Sequence, residues 1–345
     1  MEDLAEVFYK TIEHFFSDLQ KRLKAMDDPR NAKSTTYGIS AVVWEGILMY
    51  LLKLGARRQI TYELCGEDFL RNLEILAGER LDRSSHDGTV AYLFERLDPE
   101  ELKKVRYYMI RSLIRKKCFI NYRLLGYYPV VLDGTGYLSF KEPHCEHCMK
   151  KKVTDKGGNV VKVYYYHPVL EAKLVLDNGM ALSIGTEFIE NPHADVDIQD
   201  CELKAGYRLM DRLKADFPQL RICLLLDGLY AGMPTVKKCN EHKWKCIITF
   251  KQGSMPEVWN EYASLQKLQP ENTAEVIEPE LELRQHYRWV TDIGFRGPRF
   301  DVVECSESKP ARGGGIEETG FVWLTNFHTA EYNFKAIAKG GRLRW

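Results

Sequence analysis

Tyr128-Pro129-Val130-Val131-Leu132-Asp133-Gly134 is the segment whose reading decides the fold. It is a short apolar run rich in β-branched residues, ending in an acid and followed by glycine. A counterpart lies downstream, where Ile222-Cys223-Leu224-Leu225-Leu226 runs into Asp227-Gly228. Short apolar runs bounded by turn residues read as strands buried on both faces. Each aspartate is therefore predicted at the C-terminal end of a strand, the end at which open α/β sheets build their sites. The competing reading is that an Asp-Gly at a strand end is simply a turn.

The elements around the two runs give them a context. Val161 to Leu176 and Met180 to Ile189 are rich in β-branched and aromatic residues, and Asp177-Asn178-Gly179 lies between them. An Asn-Gly pair so flanked is a hairpin signal. A helix is predicted over 199–216, the second aspartate strand over 222–226, a helix over 233–239 and a strand over 246–250. Three strands, helix, strand, helix, strand is the element order of an RNase H-like fold. The predicted class is thus α/β, α+β overall, with an RNase H-like mixed sheet core at 126–250. Residues 251–320 read as a β-rich insertion, and 321–345 as a return to the core.

Residues 1–125 read as helical. Leu4, Phe8, Ile12, Phe15, Leu19 and Leu23 recur at helical spacing. A second apolar helix is predicted over 39–54. Asp98-Pro99-Glu100-Glu101 is a helix start, with a capping acid, proline in the first turn and acids at the positive end of the dipole.

Composition narrows the function classes. A chain of 345 residues with 45% hydrophobic residues is folded, and no apolar run reaches the roughly 20 residues needed to span a bilayer. The acidic start, Glu2, Asp3 and Glu6, is unlike a secretory signal, so a cytoplasmic location is expected. Nine scattered cysteines do not suggest a disulfide framework. The formal net charge is zero, which on its own argues against a nucleic-acid binder. Distribution matters more than the sum. Between Lys103 and Lys173 stand fifteen basic residues and five acidic ones, and that block surrounds Asp133. Carboxylates on neighbouring strands can bridge Mg²⁺, which prefers oxygen ligands and keeps several waters. Two such ions activate a water or a 3′-hydroxyl against a phosphodiester.

Beyond this element order, several blocks resemble one family. Val131-Leu132-Asp133-Gly134-Thr135-Gly136 resembles the first-aspartate segment of DDE transposases from bacterial insertion sequences, and Leu225-Leu226-Asp227-Gly228-Leu229-Tyr230-Ala231 the second. Tyr165-Tyr166-His167, Glu187-Phe188-Ile189-Glu190-Asn191 and Gln199-Asp200-Cys201-Glu202-Leu203-Lys204-Ala205 look like blocks of the same family, in family order. The resemblance implies that Asp133 and Asp227 are the catalytic, metal-binding members of an Asp-Asp-Glu triad using Mg²⁺, with Mn²⁺ as substitute. It implies DNA cleavage and strand transfer at terminal inverted repeats, a helical N-terminal region that binds and pairs the ends, a homodimer on DNA, and a place at the bacterial nucleoid. One departure is large. The family carries its glutamate in a Tyr-x-x-Arg-x-x-x-Glu signature on a C-terminal helix. Arg344 fits the arginine, a DNA-phosphate contact, but Gly341 stands where the tyrosine would be, and the glutamate would fall beyond Trp345. The expectation is a chain cut before its third ligand, with strand transfer absent or very weak. An inactive DNA-binding remnant and an RNase H-like nuclease are the alternatives. Glu187, Glu190, Asp200 and Glu318 are the acids weighed as stand-ins, with solvent-facing or capping roles preferred for them.

Other segments invite chemistry. His144-Cys145-Glu146-His147-Cys148 holds a Cys-x-x-Cys half-site for zinc. His167, or Cys239 with His242, could complete it, though neither spacing is a recognised one and adjacent His and Cys do not easily face one ion. The preferred reading is a turn beside Lys150-Lys151-Lys152, a run that would touch DNA. Tyr164-Tyr165-Tyr166 could stack on bases, but strand periodicity assigns one or two of them to a core. Lys251 could meet a phosphate or remain a solvated surface lysine. Gly313-Gly314-Gly315 lacks the Lys-Ser/Thr of a phosphate loop and reads as a turn.

Overall fold

The computed structural model describes residues 4–194, 196, 198–311 and 315–344. Trp345 and most of the Gly313-Gly314-Gly315 turn lie outside them. The chain divides into two compact units, Met1–Ile120 and Asn121–Trp345.

The first unit is helical, as its periodicity predicts. Its helices are α1 (Leu4–Phe15), α2 (Leu19–Lys24), α3 (Ile39–Leu51), α4 (Gln59–Glu63), α5 (Glu67–Ala77), α6 (Asp87–Phe94) and α7 (Pro99–Arg115). Asp98 caps α7 by accepting the Glu100 amide at 2.9 Å. Every residue from Ile39 to Gly46 is buried, so α3 is the central helix, and α2, α5 and α6 pack around it. An all-round apolar helix can only be a buried one. Glu45 breaks that pattern: it is 1% exposed. Its carboxylate accepts the Ser85 amide at 2.7 Å and the Ser85 hydroxyl. Burial raises the Glu45 pKa, only partly offset by Ser85.

The second unit is built on a mixed sheet. Its elements are β1 (Tyr128–Phe140), β2 (Met149–Thr154), β3 (Val160–Val175), β4 (Ala181–Phe188), α8 (Glu202–Asp216), β5 (Ile222–Leu226), α9 (Met233–Glu241), β6 (Lys245–Thr249), α10 (Pro256–Leu265), β7 (Thr273–Glu278), β8 (Leu283–Gly294), β9 (Arg299–Pro310), β10 (Ile316–Thr325) and α11 (Phe334–Arg342). The strand order is β2-β3-β1-β5-β6-β10-β9-β8-β7, with β4 also on β3. β1, β3 and β4 are antiparallel, whereas β5 and β6 run parallel to β1 and to each other. This is the α/β arrangement expected from the element order. The β3–β4 hairpin turns where Asn-Gly predicts it: Gly179 takes φ +86°, and the Leu176 amide donates to the Met180 carbonyl at 2.8 Å.

Two features differ from expectation. β1 does not stop at Asp133 but pairs with β3 as far as Phe140, with an irregularity between Gly136 and Leu138. Asp133 is thus mid-strand, opposite Glu171. What ends near Asp133 is the parallel pairing to β5, whose last partners are Val131 and Leu225. Apolar periodicity stops there because only the paired stretch is buried on both faces. Second, 251–320 forms part of the same sheet. β10 joins β6 through Trp323↔Thr249 to Thr325↔Ile247, and β9, β8 and β7 follow outward. Among the described residues no helix is long and apolar enough to cross a membrane.

α11 lies against Leu225, Ile247, Trp289 and Trp323 through Phe334, Ile337 and Ala338. It does so closely enough to demand glycine. A Cβ on Gly340 would fall 2.4 Å from Leu124 Cδ2, and one on Gly341 2.2 Å from Trp323 Nε1. The tyrosine of the transposase signature has no room at Gly341. Alanine is the better helix former by up to about 1 kcal/mol, yet overpacking a filled core costs about 1–3 kcal/mol. Gly341→Ala is therefore expected to lower the denaturant midpoint; an unchanged or raised midpoint would show that Trp323 yields freely.

The Glu45 carboxyl gives a second test. Because its folded pKa is raised above the unfolded value, its contribution is fully present at pH below that of an unfolded glutamate and is lost as pH rises through the folded pKa. Glu45→Gln keeps a partner for both Ser85 groups and removes the charge. It is expected to raise the melting temperature of the helical unit at pH 8 and to lose that advantage near pH 4. An equal effect at both values would contradict the assignment.

Candidate metal centre at Asp133 and Asp227

The parallel register of β1 and β5 brings the two aspartates together. Val131 stands opposite Leu225. Asp133 and Asp227 each follow two residues later, so strand periodicity returns both to one face, on chains separated by about 4.8 Å. Asp227 also does what a strand-end aspartate does in a turn: its Oδ1 accepts the Leu229 amide at 2.9 Å and caps Gly228–Tyr230. Its Oδ2 remains directed at the site. The functional and the turn-forming readings of Asp227 hold together, each using one oxygen.

Arg344 meets both acids. Its Nη2 lies 3.0 Å from Asp133 Oδ1 and 3.4 Å from Asp227 Oδ2. The guanidinium side chain is only 8% exposed, while Asp133 is 66% exposed. Arg344, read from the sequence as a phosphate contact, instead occupies the position of a shared counterion between the carboxylates. It is carried there by α11, which the two glycines seat against the sheet.

A third acid stands at the pair, and sequence reasoning missed it. Glu202 opens α8, and its Oε2 would lie 2.6 Å from a Cβ on Gly134. Burial raises the Glu202 pKa most, and Asp227 and then Asp133 add to it; Arg344 and Tyr230 oppose. The Tyr230 hydroxyl lies 3.5 Å from Glu202 Oε1 and from its carbonyl, and burial and this acid push its own pKa up. A side chain at Gly134 would have to displace the Glu202 carboxylate. The only signal available in the sequence was the position of Glu202 at a helix start within a block already singled out.

The acids weighed as stand-ins are engaged elsewhere. Asp200 takes both Arg208 nitrogens, at 3.1 and 2.7 Å. Burial, the largest single cause, raises its pKa, but Arg208 and the backbone amides of Cys201 and Glu190 together leave it low. Glu187 pairs with Arg208 at 2.7 Å and Arg212 at 3.0 Å. Glu190 is exposed after β4, and Glu318 is exposed on β10 opposite Ser308. Lys150, Lys151 and Lys152 stand on β2, separated from the pair by β3, with their side chains exposed. Lys251 is exposed just after β6. Tyr164, Tyr165 and Tyr166 are half-buried on β3, with Lys162 over the Tyr164 ring at 4.3 Å.

Three carboxylates converge on one guanidinium, so when all are ionised the group keeps an excess of negative charge. A further cation would offset that excess, which contributes to the raised Glu202 pKa. Oxygen-only donors on an open edge suit Mg²⁺ or Mn²⁺, which retain waters. No protein-family model matches the sequence, and no curated protein matches it either.

If Arg344 holds the place of a cation, it competes with one. Arg344→Gln is expected to destabilise the metal-free protein by about 1 kcal/mol, as for a part-exposed ion pair. In thermal melts it should also gain more from added Mn²⁺ than the parent does. Equal Mn²⁺ shifts in both proteins would remove Arg344 from the cation site.

Proposed function

We propose that this chain is a DDE-type transposase whose Asp133 and Asp227 hold Mg²⁺, or Mn²⁺ in its place, for DNA cleavage, with strand transfer absent or very weak. The observation that carries the proposal is the in-register pair of aspartates on neighbouring parallel strands, bound to one guanidinium. The divalent ions, when bound, activate the attacking oxygen and stabilise the leaving one. Asp133 and Asp227 orient them. Glu202 completes the acidic set, its carboxyl held by the α8 start and the Tyr230 hydroxyl. Were divalent ions held between the carboxylates, Arg344 would stand beside them as a contact for a DNA phosphate.

Substrate recognition follows the charge. A groove of about 720 Å³ runs beside Arg344 and carries Lys335, Lys339 and Arg342 on its α11 wall. Lys339 is paired with Asp177 and Arg342 with Glu307, and Asp177 and Glu278 share the lining. Lys335 is thus the wall's cation with no carboxylate partner among the described residues, and a phosphate backbone would compete for the other two. Lys150, Lys151 and Lys152 on β2 add an exposed basic strip. The helical first unit takes the role of binding the terminal inverted repeats and pairing two ends, in a homodimer acting at the bacterial nucleoid in the cytoplasm.

The test uses supercoiled plasmid and DNA duplexes carrying the element's ends. The full chain is expected to nick or cleave with Mg²⁺ or Mn²⁺ and to stop with chelator. Asp133→Asn and Asp227→Asn should each lose at least about a hundredfold. Strand-transfer products, however faint, separate a transposase from a nuclease that only cleaves. Cleavage that survives both Asn substitutions would overturn the assignment of the pair.

A further inference from the structure

The Cys-x-x-Cys segment left outside the candidate centre is built as a metal knuckle. Cys145 and Cys148 lie in the turn between β1 and β2, where the Cys148 amide meets the Cys145 carbonyl at 3.4 Å. Their sulfurs are 3.9 Å apart, nearly twice the length of a disulfide bond, about 2.05 Å. His167 Nε2, on β3, lies 3.4 Å from Cys145 Sγ and 3.3 Å from Cys148 Sγ. His144 stands next to this trio on the Cys145 and His167 side: its ligand nitrogen and those two residues' ligand atoms all lie within 4.8 Å of one another, and on closing round an ion His144 would have to move toward Cys148.

We propose that Cys145, Cys148, His167 and His144 bind one structural Zn²⁺. Tetrahedral zinc with Zn–S of about 2.3 Å and Zn–N of about 2.05 Å sets S···S near 3.8 Å and S···N near 3.6 Å. The sulfur and His167 separations here match that spacing without rearrangement. The backbone is another mark: the N–H groups of His144 and Cys145 both donate toward Cys148 Sγ at 3.4 Å. Backbone N–H groups aimed at a sulfur hold it in place, as outer hydrogen bonds do for a metal's ligands. Two sulfurs and two imidazoles form a borderline-soft set that suits zinc and not Mg²⁺. Cys239 and His242 are not part of it: Cys239 is buried in the core, and His242 bonds Asp211 at 3.1 Å. Phe140 stacks on the His144 ring at 4.6 Å, and the His144 and His167 rings stand edge to face at 6.5 Å.

The knuckle is tied to the start of α8. His147 Nδ1 donates to the Asn191 carbonyl at 2.8 Å, and the Asn191 amide donates to the His147 carbonyl at 3.1 Å. Asn191 Nδ2 donates to the Cys148 carbonyl at 2.9 Å, while its Oδ1 accepts the Asp200 amide at 3.3 Å. Gln199 brackets the Lys150 backbone at 2.6 and 2.9 Å. Zinc would thus hold the turn that holds the residues leading into Glu202. Its place is structural, and it stands whether or not Asp133 and Asp227 bind Mg²⁺.

The experiment measures metal in the full chain, purified without chelator from zinc-supplemented cells. About one zinc per chain is expected, falling to about a tenth of an equivalent or less in Cys148→Ser and His167→Ala. Cys65→Ser and Asp133→Asn should keep the full content. Should the knuckle variants fail to fold, the parent is stripped of metal and titrated with Co²⁺. Thiolate-to-cobalt absorption with tetrahedral bands, saturating at about one equivalent and displaced by zinc, supports the site. Parent protein with under about a tenth of an equivalent of zinc and no such cobalt spectrum overturns it. So does a Cys148→Ser protein that retains the parent's zinc.

Discussion

The parallel pairing of β1 with β5 is the constraint on which the rest of the second unit depends. Placing Val131 opposite Leu225 forces two carboxylates side by side where the pairing ends. That is unfavourable unless positive charge is supplied. Supply comes from Arg344, and through it from α11, which packs closely on Trp323 and Leu124 at Gly340 and Gly341. The glycines of a distant helix, the tryptophan of β10 and the aspartates of the central strands are thus one mechanical unit. A change in any of them would disturb how the guanidinium meets the two carboxylates.

The same logic explains how the unit is enclosed. Cys223, Leu225 and Ile247 face α11, while the alternating Leu224, Leu226, Cys246 and Ile248 are equally buried. The central strands are therefore apolar throughout, and only residues just past the pairing can be acidic without heavy desolvation cost. Glu202 approaches from α8 and pays part of that cost, which is why its pKa rises. Arg208 plays the opposite role a turn and a half away. It gathers Glu187 and Asp200 into a network that keeps them out of the site.

Much of this was legible in the residues. The strand-helix order, the Asn178-Gly179 hairpin, the Asp98 cap and the two aspartates all follow from local chemistry acting over a few residues. The extension of β1 to Phe140 was not, because a strand with one exposed edge and mixed polarity loses its apolar signature. Glu202 was passed over in favour of Glu187 and Asp200 because nothing local separates an acid at a helix start from one paired with arginine; that depends on where α8 lands. The role of Arg344 likewise needed the long-range contact across 211 positions. The His/Cys segment was half legible: the Cys-x-x-Cys pair is local, but His167 is brought in by β-pairing.

The account turns on whether a divalent ion takes the place of the guanidinium between the aspartates. Anomalous diffraction from crystals soaked in Mn²⁺ addresses this directly. The expected result is a manganese peak at about 2.2 Å from carboxylate oxygens of both Asp133 and Asp227, with Arg344 displaced from them. A soaked crystal with Arg344 still bridging the pair and no peak between its oxygens would contradict it.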